Sequence, residues 1–258
     1  WYKTPAGFRA VVGNTYTLQI TIVDKTYHST PQLVTKAPKI ETLILEYKKI
    51  PNEDLRDIVI GVEIYSRWQD PGGDEDNYYM WKSSGTYQIE THPEDHTVFG
   101  LNGPIPAPLG CCATCWVDEA NSDKSIRIMK DNNSNGNLVT NLAAFIEDDG
   151  RRYMDQYFIT LEQHSISKEA FLFLDLLDNQ LSINGDIFDP PPATIRGNMI
   201  SLENPDENVI GYFMVSDVSV KSIFIPRKML GDTKLLKVIN DDCRTLINST
   251  AQRPSFWD

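Results

Sequence analysis

The chain has 258 residues, 41% of them hydrophobic and 10% aromatic, which supplies one large or two medium domains with real cores and excludes a disordered polypeptide. Its 24 basic and 36 acidic residues leave a net charge of −12, which argues against nucleic acid, whose binding needs a basic face, and against polybasic attachment to a membrane surface. No apolar run approaches the roughly 18 residues of a membrane-spanning helix.

Residues 1–36 read as the closing part of a β-sandwich domain. Tyr16, Leu18, Ile20 and Ile22 share one face of a strand, and Asp24-Lys25 turns it into a short return at Tyr27–Ser29. Two or three strands do not make a stable sandwich, so upstream residues or another chain are expected to complete it. Pro31 to Pro38 reads as a linker into a second domain, 37–258. There Thr42–Lys49 and Asp57–Arg67 alternate as paired strands, with a turn at Asn52-Glu53-Asp54 between them.

The following loop is acidic and glycine-bearing. Asp70, Asp74, Glu75 and Asp76 would offer the hard oxygens that Ca²⁺ prefers, but without an Asp-x-Asp-x-Asp-Gly progression the spacing favours a solvated hairpin tip. Trp68, Tyr78, Tyr79 and Trp81 at its ends would serve either as a sugar-stacking platform or as cross-strand packing, the commoner use. His92 and His96 stand four apart, a metal-binding spacing on a helix, yet Pro93 and the Gly- and Pro-rich run after Gly100 speak against a helix. Residues 100–115 read as a long irregular loop presenting a cysteine cluster.

The cysteines are Cys111, Cys112, Cys115 and Cys243. A Cys₄ zinc site needs two separated Cys-x-x-Cys knuckles and only one is present, so disulfides in an oxidising compartment are the preferred reading. Pairing Cys243 with Cys115 would leave adjacent cysteines to bond each other, so Cys111 or Cys112 is the expected partner of Cys243.

Lys124–Met129 and Arg151–His164 read as strands around a polar turn at Asp131–Asn137. A helix is expected near 167–182: Ser167 is a credible N-cap, and Ala170, Phe173, Leu174, Leu177 and Leu181 form an apolar stripe that ends at Asn184-Gly185. The densest set of constraints follows. Asp189 precedes Pro190-Pro191-Pro192, a stiff extended crossing; Gly197-Asn198 and Asn204–Asn208 read as turns, and Val209–Val215 as an apolar strand. Arg196 is expected to be structural, paired with Asp189 or Asp186. Ser222–Ile225 is a short strand closed by Pro226. No nucleophile elbow, zinc helix, P-loop or dinucleotide fingerprint occurs. The fold class is therefore mainly β, a sandwich remnant and a larger antiparallel β-sandwich with one inserted helix, and the protein is read as non-catalytic.

Gly185, Phe188-Asp189-Pro190-Pro191-Pro192-Ala193, Ile195-Arg196-Gly197-Asn198, Asn204-Pro205 and Val209-Ile210-Gly211-Tyr212-Phe213, in that order, closely resemble the C-terminal signature of the DUF4249 family. The Asp-Pro, Asn-Tyr-Tyr and Trp of the acidic loop, and the late Cys followed by a terminal Pro-x-Phe-Trp, are similar to family members too. The resemblance implies an immunoglobulin-like N-terminal domain, closed by the hairpin within 1–36, and a lipoprotein of the Bacteroidota outer membrane with its signal peptide and lipid-bearing Cys upstream. It implies as partners an outer-membrane β-barrel protein, such as a SusC-like TonB-dependent transporter, and associated lipoproteins. Asn240 departs from members that carry a second tail Cys there. The resulting expectation is an accessory or scaffold subunit; the alternative is a surface receptor that captures a glycan, peptide or metal chelate for the transporter.

Overall fold

The structure, a computed structural model, describes residues 3–51, 58–73, 76–120, 123, 125–131, 136–181 and 194–257. In chain order the strands are β1 (Thr15–Tyr16), β2 (Gln19–Ile22), β3 (Lys25–Ser29), β4 (Gln32–Leu33), β5 (Ile40–Pro51), β6 (Ile58–Gln69), β7 (Tyr78–Glu90), β8 (Thr97–Gly100), β9 (Gly103–Pro106), β10 (Thr114–Ala120), β11 (Arg127–Lys130), β12 (Leu138–Glu147) and β13 (Gln156–Ile166). The helix α1 (Lys168–Leu181) follows, then β14 (Met199–Ser201), β15 (Val218–Pro226) and β16 (Ser249–Thr250). The result is mainly β, with antiparallel, sandwich-like sheets and one helix among the described residues.

Two sheets make the main body. One runs β15-β13-β7-β10-β16, with β11 also paired to β7; the other runs β12-β6-β5. Alternation along each strand sends one set of side chains inward. Val62, Ile64 and Trp68 from β6, and Ala144 and Ile146 from β12, meet Tyr79, Trp81 and Ile89 from β7 and Tyr157, Ile159 and Leu161 from β13 in one core. Gln163, fully buried, is accommodated because its amide accepts from Trp81 Nε1 at 3.1 Å and donates to the Pro38 carbonyl at 3.3 Å. On β7 the other face is buried as well: Tyr78 and Met80 pack with Ile166 and Ala170 under α1. The helix starts where the sequence places it, with Ser167 Oγ accepting from the Ala170 amide at 3.1 Å.

Several expectations need correction. Arg151–Tyr153 is turn rather than strand, because the Asp149 carboxylate draws in the amides of Arg151 and Arg152 and β13 starts only at Gln156. β12 escapes a strand reading because a bulge between Leu142 and Ala144 shifts its alternation midway. Residues 97–106 are not irregular but a two-stranded hairpin, turning at Leu101-Asn102 between Gly100 and Gly103, the latter at φ 118°. Val209–Val215 takes part in no ladder among the described residues. The Asn52–Asp54 turn lies outside the described residues, as do Gly185, Asp189 and Pro190-Pro191-Pro192. The N-terminal strands pair across the sequence midpoint: β14 hydrogen-bonds to β3, with Met199 opposite Ser29 and Ser201 opposite Tyr27, and completes the sheet β14-β3-β2.

Candidate functional site

The acidic loop divides by the partners its carboxylates find. Asp70 is 2% exposed and accepts the amides of Gly72 and Gly136, both at 3.0 Å, and the Tyr79 hydroxyl at 3.3 Å. Its oxygens are thus committed to tying the β6 exit to the start of β12. Asp76 pairs with Lys130 at 2.8 Å, and Asp74 and Glu75 lie outside the described residues. The two described members of the calcium set therefore serve separate partners. Trp68, Tyr79 and Trp81 are buried against one another, with centroids 5.4–6.4 Å apart, and Tyr78 packs tilted at 5.2 Å on Phe171 of α1, so these rings are packing and offer no stacking platform. His92 faces Glu94 at 3.2 Å and His96 faces the Asn240 carbonyl at 3.0 Å, around a three-residue 3₁₀ turn at Pro93–Asp95, so the two rings do not share a ligand.

All four cysteines are bonded, Cys115 to Cys243 and Cys111 to Cys112. This reverses the expected partner of Cys243. Cys115 sits opposite Ile89 in the β10–β7 ladder at an inward position and is fully buried, where Cys243 reaches it; Cys111 and Cys112 lie in the loop before the strand. The Cys243 amide also donates to the Cys112 carbonyl at 3.0 Å.

The Gly197-Asn198 corner has a plain structural logic. A Cβ on Gly197 would fall 1.6 Å from the Gly211 carbonyl oxygen, and Gly211 itself sits at φ 126°. The closeness lets Asn198 bridge to the facing segment: its Nδ2 donates to the Phe213 carbonyl and its Oδ1 accepts the Phe213 amide, both at 2.8 Å. A side-chain amide thus takes the place of a ladder pair, the physical reason that Val209–Val215 is no strand. Arg196 is exposed beside this corner, and Asp186 and Asp189, its expected partners, lie outside the described residues.

Folding assembles one polar site that the sequence does not announce. A cavity of about 430 to 550 Å³ recurs at three places on the surface, and the largest, 550 Å³, lies where Glu119 of β10, the Arg151-Arg152 turn and the Thr245–Asn248 tail meet. Arg152 Nε donates to both Glu119 oxygens, at 2.9 and 3.1 Å, and its Nη1 to the Glu147 carbonyl at 3.0 Å. Tyr157 donates to the same Glu119 at 3.0 Å, and its hydroxyl fits because Gly85 has no Cβ there. Asp149, despite burial that opposes its charge, is held below the usual carboxylate range by the Arg152 and Arg151 amides. Burial, then the Glu119 charge, pushes Tyr87 up to about 12. The charges pair with one another, so the site is a charge-paired cradle with apolar walls at Val117, Leu246 and Ile247; Arg151, paired with Asp149 at 3.2 Å and about one third exposed, is the cation it presents to solvent.

A second constellation brings Ser216 Oγ within 2.8 Å of His164 Nδ1 and Glu162 Oε2 within 3.2 Å of its Nε2. Burial, then Lys82, lowers the His164 pKa, with Glu162 opposing. No cavity described above opens onto these three groups, and the set ties β13 to the segment before β15.

The corner at Gly197, Asn198 and Gly211 falls within the region that decides kinship: residues 1–222 match the model of the family described as Domain of unknown function (DUF4249). The chain belongs to the DUF4249 family. No curated protein and no solved structure matches it. In this DUF4249 chain the Glu119–Arg152 pair has no signal in the sequence, since its members stand 33 residues apart and the run Asp148-Asp149-Gly150-Arg151-Arg152 has the composition of a solvated turn.

Proposed function

We propose that this DUF4249 chain is a surface-exposed outer-membrane lipoprotein that works as a non-catalytic accessory subunit, docked on an outer-membrane β-barrel partner such as a TonB-dependent transporter or an outer-membrane protein machine. The setting rests on the family resemblance. Docking rests on one observation, the outer edge of the β14-β3-β2 sheet. β2 is its last strand among the described residues; Ile22, Val23 and Ile210 beside it are 57%, 94% and 79% exposed, and Ile20, Ile22, Tyr27, Met199 and Ile210 line a 420 Å³ cleft. An exposed edge with apolar neighbours invites another strand or an apolar ridge, and single domains normally blunt such edges.

Affinity purification from native membranes, followed by native electrophoresis, tests the reading. The wild-type chain is expected to migrate with a β-barrel protein, and Ile22→Asp with Ile210→Asp to lose that co-migration at unchanged thermal stability. If residues of the same polypeptide cover the edge instead, the double variant lowers Tm and leaves the complex intact. A free monomer contradicts the proposal.

The cradle at Glu119, Arg152 and Arg151 favours the alternative of a receptor that captures a glycan, peptide or metal chelate for a SusC-like transporter. Its mixed walls and the partly exposed Arg151 suit a ligand with a carboxylate on an apolar body. Loss of such binding in Arg151→Ala, with the barrel complex retained, separates this reading from the first.

A further inference from the structure

The connection from β7 to β10 spans residues 91–113, long for two adjacent antiparallel strands, and at its centre is a projecting arm, the β8–β9 hairpin. Its base is stapled on every side. The Thr91 amide donates to the Ala113 carbonyl at 2.8 Å, the Leu109 amide to the Pro93 carbonyl at 2.9 Å and the His92 amide to the Ile239 carbonyl at 2.8 Å, while Cys115–Cys243 locks the neighbouring strand to the tail. Among the described residues the two strands pair only with each other, and they reach about 13 Å, four residues at strand rise.

This arm presents apolar side chains on both faces and at its tip, where Asn102 is the polar neighbour. Phe99 is 94% and Leu101 107% exposed, and Val98 and Ile105 are about half exposed. Val98 stands opposite Ile105, and Phe99 opposite Pro104 on the other face, with Leu101 at the tip. A flat protein surface would cover one face and leave the other wet. From His96 to Val117 there is no Asp, Glu, Lys or Arg, in a chain whose charged content is 23%.

The backbone is adapted in the same sense. The Ala107 amide bonds to the His96 carbonyl at 2.8 Å, so in β9 the donors of Gly103, Ile105 and Ala107 point at the partner strand. The outward positions are Pro104, Pro106 and Pro108, which carry no N–H. That edge cannot accept an added strand by donating to it, and it brings no unpaired donor into an apolar medium, so only its outward carbonyls carry the penalty of placing a sheet edge in lipid. On β8 the outward donors are those of Phe99 and of Thr97 at the base.

We propose that the 97–109 arm is a membrane-contact element that sinks Phe99, Leu101, Val98 and Ile105 into the interface of an electrically neutral lipid bilayer. Glu94 and Asp95 at its base, with Asp241 at 3.7 Å from His96, disfavour an anionic surface. The contact is separate from the barrel docking proposed above and does not depend on it.

The test uses the full chain and phosphatidylcholine vesicles. An environment-sensitive NBD label is attached at Leu101→Cys or, as control, at Val23→Cys, a residue equally exposed but outside the arm. Vesicles are expected to raise and blue-shift emission from position 101 and leave position 23 unchanged. Phe99→Asp with Leu101→Asp, both at fully exposed positions and so neutral to folding, is expected to reduce flotation of the unlabelled chain by about tenfold or more. Emission at 101 that stays aqueous at saturating lipid, an equal response at 23, or a response confined to phosphatidylglycerol vesicles overturns the assignment.

Discussion

β7 and the arm that follows it are both rich in large apolar residues, yet they meet opposite fates. Tyr78, Tyr79, Met80, Trp81, Tyr87 and Ile89 are buried, while Val98, Phe99, Leu101 and Ile105 face outward. Residue type does not separate them. β7 has β13 on one side, β10 and β11 on the other, a facing sheet and a covering helix, whereas among the described residues β8 pairs only with β9. Burial here is a property of position in the topology, and hydrophobicity alone reads the two stretches alike.

The comparison breaks most severely if the tail is released. Cys115→Ala with Cys243→Ala opens a crosslink spanning 128 residues, and the chain-entropy relation gives a loss of about 4–5 kcal/mol in unfolding free energy by denaturant titration. The arm, stapled to the same tail, is expected to become protease-sensitive with it. Ile89→Ala, at the last buried position of β7, is expected to lose about 3 kcal/mol by the same measurement.

Acid gives a smaller effect on the same sheet. Burial, then Lys82, lowers the His164 pKa below the ordinary histidine value of about 6.5, with Glu162 opposing. The unfolded chain therefore takes up this proton first, and stability falls as pH drops from about 6.5 toward the depressed folded value. Tm measured from pH 7 to 5 is expected to decline by on the order of 2 °C more in wild type than in His164→Gln. The smallest effect belongs to the arm: Val98→Ala and Ile105→Ala are each expected to change stability by less than about 0.5 kcal/mol, which sharpens the contrast with Ile89.

How far the sequence reveals these arrangements depends on range. α1 is legible because Ser167 and its apolar stripe act within one or two turns, and the pairing of β5 with β6 because alternation is local. β12 is obscured by one extra residue at its bulge, and the arm by its glycines and prolines, which mark irregular chain as readily as a blocked hairpin edge. Asp70 looks like a metal ligand because a carboxylate that gathers amides and one that gathers a cation are the same residue in a row of letters. The cysteine pairing turns on which residue of a three-cysteine cluster points inward, a matter of strand register that is fixed by Ile89 on another strand. Glu119 and Arg152 lie beyond any local pattern.

The pairing of β14 with β3 has a consequence for the order of folding. Ser29 waits for Met199 and Tyr27 for Ser201, and β10 waits for β16 and Cys243. Loop closures of this length make folding slow compared with local structure formation. A chain that emerges amino end first into its compartment carries the β3 edge open until Ser201 arrives and the β10 edge open until Thr250 does, and during that interval its protection from misassembly must come from outside the molecule.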